Sequence, residues 1–252
     1  MRKQTSINYK KLYNRVGQRI GWDFSKLKVI SEGEKHNFYQ EVVKSCQKSD
    51  LLLDIGTGGG EKVLKIAPLL FFLIGIDSSE AMINTADKNL RKSGLLNVRF
   101  LKMDAKKIIF PDEFFDIISC RHSNFFPKEL IRALTERGIF LTQQVSEADK
   151  INIKKAFGRG QNFRIKDGTT KDHHIKELRK AGFSEIKSFD YNTKEFYQTP
   201  EDLIFLLRNT PIIPNFGCKS NDFKILTQFI KDNATVKGIA TNSKRYMIIA
   251  KK

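Results

Sequence analysis

Apolar residues in this chain fall into short runs separated by helical patterns, and the alternation recurs over most of its length. Leu51–Ile55 is apolar except for Asp54, as expected of a strand buried on both faces. A Gly-rich turn follows, then a predicted helix over 61–66. Residues 71–76 predict a second strand, and 79–93 a helix stopped by Gly94, a residue suited to the left-handed cap. Val98–Lys102 is a third strand, and 115–119 a fourth, entered through the turn-like Pro111-Asp112-Glu113. A helix over 128–136 stops at Gly138, and 139–145 forms a fifth strand. A further helix (172–182) and strand (185–191) come next. Residues 245–250 alternate enough to close the chain as an antiparallel partner.

Strands spaced by helices imply βαβ units with right-handed crossovers. The expected fold is therefore a doubly wound α/β domain with a mainly parallel, seven-stranded sheet and an antiparallel final strand. Residues 1–50 read as a basic arm followed by a helix over 33–46, which places Phe38, Val42 and Val43 on one face. Residues 51–252 form the main domain. Within it, 192–243 stands out as an insertion, with Thr210-Pro211-Ile212-Ile213-Pro214 and a helix near 200–207. It is expected to act as a lid or a substrate-recognition element.

The segment Asp54-Ile55-Gly56-Thr57-Gly58-Gly59-Gly60-Glu61 leaves a buried strand and is expected to enter a helix whose first N–H groups are free. Glycines there permit positive φ and let a ligand approach the backbone. A phosphate loop and a dinucleotide fingerprint both need glycine where Glu61 stands, and a carboxylate beside a pyrophosphate would repel it. Gly56, Gly58 and Gly60, with Thr57 between them and Asp54 ahead, suit a ligand carrying a cationic amino acid group.

This segment resembles motif I of the class I, Rossmann-like S-adenosylmethionine-dependent methyltransferases, and the resemblance extends over roughly 51–250. It implies that Asp77-Ser78, at the end of the second strand, holds the ribose hydroxyls, and that Asp104-Ala105 clamps the adenine. It also turns the end of the fourth strand toward the methyl group. The turn after that strand reads Cys120-Arg121-His122-Ser123-Asn124-Phe125-Phe126, and lacks the Pro-Pro-aromatic signature of the amino-methylating subset. Cys120 has no nucleophile signature beside it and is expected to be a buried thiol. His122 is the candidate general base. Arg121, Gln143 and Gln144 are candidate substrate contacts, the two glutamines facing one cleft. His173-His174 starts a helix and is expected to be exposed.

Charge changes the picture of the substrate. Lys and Arg number 45 against 28 acids, a net charge of +17 in 252 residues. That excess is the electrostatic footprint of a polyanion binder. It concentrates in the N-terminal arm and in Lys154, Lys155, Arg159, Arg164, Lys166 and Lys171. The first reading is therefore methylation of a base in RNA. Ribosomal RNA is favoured, through a similarity to bacterial enzymes that includes the orthosomycin-resistance type acting on a 23S guanine. The alternative is a small-molecule methyltransferase with 192–243 as its lid, and a third is a non-enzymatic cofactor-binding protein. Three scattered cysteines form no zinc or disulfide pattern, the N-terminus lacks an apolar leader, and the run over 68–76 is too short to span a bilayer. These features predict a cytoplasmic protein without metal or membrane partners. They leave its oligomeric state open.

Overall fold

The computed structural model describes residues 24, 26–33 and 36–252. Most of the expected basic arm lies outside the described residues. The described chain runs β1 (Val29–Glu32), α1 (Phe38–Ser45), β2 (Leu51–Ile55), β3 (Phe72–Asp77), α2 (Glu80–Ser93), β4 (Val98–Lys102), β5 (Phe115–Arg121), α3 (Pro127–Ala133) and β6 (Leu134–Val145). It continues through α4 (Ile151–Phe157), α5 (Thr169–Ala181), β7 (Ile186–Tyr197), α6 (Pro200–Asn209), α7 (Asp222–Asn233), β8 (Ala234–Thr235) and β9 (Gly238–Lys251).

One sheet collects all the described strands in the order β1-β7-β9-β6-β5-β2-β3-β4, with β8 paired to β9. Strands β4, β3, β2, β5 and β6 are parallel, and β9 enters antiparallel between β6 and β7. These are the seven expected strands. Two short ones, β1 and β8, are added at the β7–β9 side. The double apolar faces of the parallel strands account for the layers. Leu53, Ile55, Ile118 and Cys120 pack one core with α3 and α5, while Leu52, Leu73, Ile117 and Leu141 pack another with α1 and α2. In α2, Met82, Ile83 and Ala86 are buried, the Ser79 hydroxyl accepts the Met82 N–H, and Gly94 ends the helix at φ 69°.

Several boundaries differ from the expected ones. No α-helix follows the Gly-rich turn. Val63–Lys65 and Ala67–Leu69 form two successive 3₁₀ turns, because Pro68 has no N–H to bond the Leu64 carbonyl. The helix expected over 33–46 begins at Phe38, where the Asn37 side chain accepts the Gln40 N–H at 3.4 Å. Strand β6 begins at Leu134, and a register shift absorbs the residues before Ile139.

The largest revision concerns the insertion. Strands β7 and β9 stay paired from Ile186↔Ala250 to Tyr197↔Ile239, whereas β6 pairs with β9 only as far as Val145↔Arg245. The segment expected at 192–243 is therefore a strand ribbon at both ends, and only 198–237 connects it. The ribbon projects past the C-terminal ends of the parallel strands. There it packs with α4, α6 and α7 around a third core that includes Ile153, Leu203, Leu207, Ile213, Phe216 and Phe229. Hydrophobic alternation marks strands but does not say how far they pair.

Candidate functional site

The Gly-rich turn sits at the C-terminal end of β2, where open α/β sheets place their ligands. The Gly56 and Thr57 N–H groups donate to the Ile76 carbonyl at 2.8 and 3.1 Å, which ties the turn to β3. Gly56 has φ 73°, and a Cβ there would stand 2.3 Å from Ser123 Cβ. Gly60, at φ 77°, would place a Cβ 2.6 Å from Phe100 Cζ. Both positions need glycine for conformation and for space. Gly58 donates its N–H to Asp77 Oδ2 at 3.1 Å, and Asn89 on α2 donates to the Gly59 carbonyl at 2.8 Å.

Asp54 is buried, with 1 % of its surface exposed, and accepts the Ser119 hydroxyl at 2.5 Å. Burial pushes its carboxyl up to about 7, and the hydrogen bond from Ser119 opposes the rise. A carboxylate so desolvated has much to gain from a cation. Asp77 ends β3 and also accepts the Ser79 N–H at 2.8 Å; burial raises its carboxyl, and the two backbone donors counter it. Ser78 is exposed beside it. The Thr57 side chain also lowers the Asp54 carboxyl, opposing the effect of burial. Asp104 is exposed, accepts the Lys106 N–H at 2.9 Å, and precedes the half-buried Ala105. The buried Asp54, Asp77 at the end of β3 and the cradle that two Cβ atoms would fill fit S-adenosylmethionine. They do not fit a phosphate, because the turn ends in 3₁₀ structure and not in a helix N-terminus.

On the other side of β5 the structure separates residues the sequence placed together. Arg121 and Gln143 are Cα partners on one face, where Arg121 Nε donates to Gln143 Oε1 at 3.1 Å. Gln144 necessarily points to the opposite face, because side chains alternate along a strand. There it donates to the Ser123 carbonyl and Thr142 Oγ1, both at 2.9 Å. The expectation that both glutamines face one cleft is thus corrected, and Gln144 positions the loop that carries Ser123. Cys120 shares the face of Gln144, is fully buried, and has its thiol raised by that burial.

His122 follows β5 at φ 57°, a left-handed conformation that strains a residue with a side chain. Its N–H donates to the Gln143 carbonyl at 2.9 Å, while its Nε2 is buried without a partner. Burial, with Arg121 and Arg245 adding to it, holds the imidazole well below its ordinary value. His174, expected to be exposed, instead packs its ring tilted against Phe125 at 4.7 Å between centroids and bonds the Tyr246 hydroxyl through Nδ1 at 3.0 Å.

Sequence reasoning missed Ser119, Tyr39, Tyr191 and His36. Ser119 shares its strand face with Arg121, so alternation alone points to it. The Tyr191 hydroxyl accepts Gln143 Nε2, and its ring lies 5.2 Å from that of His36. Tyr39, on α1, is raised well above the ordinary phenol value by burial, with Asp54 adding and Arg121 opposing. No linear signal joins these three to β5, because β7 and α1 are distant in sequence. Among the described residues no group of acidic, histidine or cysteine side chains could hold a metal ion, and no helix is long and apolar enough to cross a membrane.

Residues 52–140 match the methyltransferase domain family. An uncharacterized methyltransferase of Bacillus subtilis, YcgJ, is 33 % identical over 46 % of this chain and 46 % of its own length. A ubiquinone/menaquinone biosynthesis C-methyltransferase of Vibrio vulnificus is 28 % identical over 36 % of this chain and 37 % of its own. The chain thus spans less than half the length of these relatives. The solved YcgJ structure superposes with a TM-score of 0.61 at 21 % identity, over 84 % of this chain and 97 % of that one. A functionally unknown protein from Deinococcus radiodurans R1 gives 0.62 at 14 % identity over 95 % and 98 %. The fold is the Rossmann-like methyltransferase fold. Over 52–140 the chain is similar to methyltransferase domains, whose cofactor is S-adenosylmethionine.

Proposed function

We propose that the protein methylates a small molecule whose binding site lies between the ends of β5 and β6 and the β7–β9 ribbon. S-adenosylmethionine, when bound, supplies a methyl group already activated on a sulfonium, so the protein's work is positioning and exclusion of water. Asp54 faces the cationic amino acid portion, Asp77 and Ser78 the ribose, and Asp104 and Ala105 the adenine, with Gly56, Thr57, Gly58 and Gly60 forming the cradle. Arg121 and Gln143 face the acceptor. His122 takes the acceptor's proton. Its depressed basicity keeps the imidazole neutral and matches an acceptor proton that is itself acidic.

One observation carries the small-molecule reading over the RNA reading. Half of the second basic segment is already engaged by partners within the chain. Lys154 is buried and donates to the Glu147 carbonyl at 3.0 Å, Arg159 pairs with Asp222 at 2.7 Å, and Lys171 pairs with Asp190. Lys155, Arg164 and Lys166 remain exposed. The relatives named for quinone biosynthesis, C-methyltransferases by name, support the same choice. The net charge of +17 is what favours the alternative, a base in RNA such as a 23S guanine. The ribbon and 198–237, with their own apolar core, serve as the cover of the acceptor site.

The test is to incubate the protein with methyl-labelled S-adenosylmethionine and a total cell extract. Label in the solvent-extractable fraction is the expected result. Label confined to RNA would overturn the small-molecule reading and restore its alternative.

A further inference from the structure

The acceptor side of the cleft contains a cation that no acid among the described residues pairs. Arg121 is half-buried at the end of β5, and its Nε is held by Gln143 Oε1 at 3.1 Å. Gln143 uses the other end of its amide on the Tyr191 hydroxyl, and the Tyr191 ring packs against His36. The orientation of the guanidinium is therefore set by a chain of side chains rooted in β7. Among the described residues no carboxylate lies within 4.0 Å of Arg121, and neither terminal nitrogen makes a hydrogen bond. Asp54, whose charge it feels, turns its Oδ1 to Ser119.

Arg245 provides the contrast. It lies on the same sheet face, aligned with Tyr191 in the β7–β9 ladder, and is ion-paired with Asp149. Among the described residues one guanidinium there is neutralised and the other is left open. A planar guanidinium fixed at Nε presents two parallel N–H groups, the geometry that recognises a carboxylate in a bidentate pair. Keeping such a charge half-buried without a counter-ion costs desolvation that an anionic ligand offsets.

We propose that Arg121 binds a carboxylate on the methyl acceptor, with Gln143 and Tyr191 as positioning residues that fix the plane of the guanidinium. The acceptor is then an organic acid, a narrower class than the small molecules considered above, and the inference rests on that reading of the cleft.

Calorimetric titration of the full chain, saturated with S-adenosylhomocysteine, tests it. The probes are benzoate, phenylacetate and 1-naphthoate, each compared with its primary amide. At least one acid is expected to bind roughly tenfold more tightly than its amide, about what one charge-assisted pair contributes. Arg121→Gln should bring that ratio to about one while changing S-adenosylhomocysteine affinity less than about twofold. Arg121→Lys keeps the charge but not the fork, and Tyr191→Phe frees the amide of Gln143; each should lower the ratio by about threefold. A ratio near one for every pair in the wild type, or a ratio that survives Arg121→Gln, overturns the inference. So does an equal loss of S-adenosylhomocysteine binding in Arg121→Gln, which would assign the guanidinium to the cofactor's own carboxylate. Normal S-adenosylhomocysteine binding without acid preference defeats this inference alone, whereas no S-adenosylhomocysteine binding defeats the cofactor reading as well.

Discussion

At the Gly-rich turn, backbone does most of the work: Gly56, Thr57 and Gly58 spend their N–H groups on β3, and glycines leave the room beneath Ser123 and above Phe100. Across β5 the proposed acceptor side is made of side chains, with Arg121, Gln143, Tyr191 and His36 drawn from four separate segments. Backbone architecture depends on residue types at fixed spacing within one segment, so it fits one cofactor and is written locally. A side-chain mosaic depends on register between distant strands, so it can be re-cut for another acceptor without disturbing the turn.

The sharpest way to break this contrast is at Gly56. Gly56→Ala should weaken S-adenosylhomocysteine binding about a hundredfold or more in calorimetry, because the added methyl meets Ser123 and the φ becomes strained by about 1–3 kcal/mol. Removing the clashing partner with Ser123→Gly should restore part of the loss. If Gly56→Ala binds normally, the turn is not the cradle.

On the acceptor side the largest stability effect belongs to Asp149. Asp149→Ala leaves Arg245 buried without its partner, and urea unfolding should show a loss of about 3 kcal/mol. Cofactor affinity should hold once the protein is folded, since this pair braces the ribbon side. A parallel loss of cofactor affinity would show the two halves to be coupled.

Asp54 joins the halves through its titration. Between its unfolded value and about 7 the folded protein holds a proton that the unfolded chain has released. Stability of the ligand-free protein therefore falls as pH rises through that window, with a slope of about 1.4 kcal/mol per pH unit. A cofactor ammonium favours the ionised form, so binding should release a proton near neutrality and strengthen by about tenfold from pH 6 to pH 8. Asp54→Asn should remove both trends, readable from melting curves and titrations across that range.

The smallest effect sharpens the role of His122. His122→Gly relieves a left-handed residue and removes an orphaned buried nitrogen, and should raise stability by about 1 kcal/mol while abolishing methyl transfer. Loss of activity with loss of stability would mark the histidine as structural.

The sequence read well where chemistry and conformation coincide in one segment. Leu51–Ile55, the three glycines and Asp77 lie in consecutive or adjacent units, and the parallel order follows from βαβ handedness. It read poorly where partners are far apart. Strand alternation could separate Gln143 from Gln144, since they differ in parity, but could not say that Tyr191 would meet Gln143. Pro68 held the information that the turn would not open an α-helix. The length of the β7–β9 ribbon, by contrast, depends on Thr193↔Ser243 and its neighbours continuing to pair past the end of β6. Polar ladder residues there look like loop when read alone, although Thr193 and Ser243 are buried.

The two 3₁₀ turns after Gly60 reach beyond local geometry. Crowded cells hold abundant nucleoside triphosphates and dinucleotides built around the same adenosine, and each carries its phosphates to a row of aligned helix amides. Here that row is missing and Glu61 stands in its place. Discrimination against the commonest adenosine compounds is then expected from two sources at once, the withheld helix amides and the carboxylate that stands in their place.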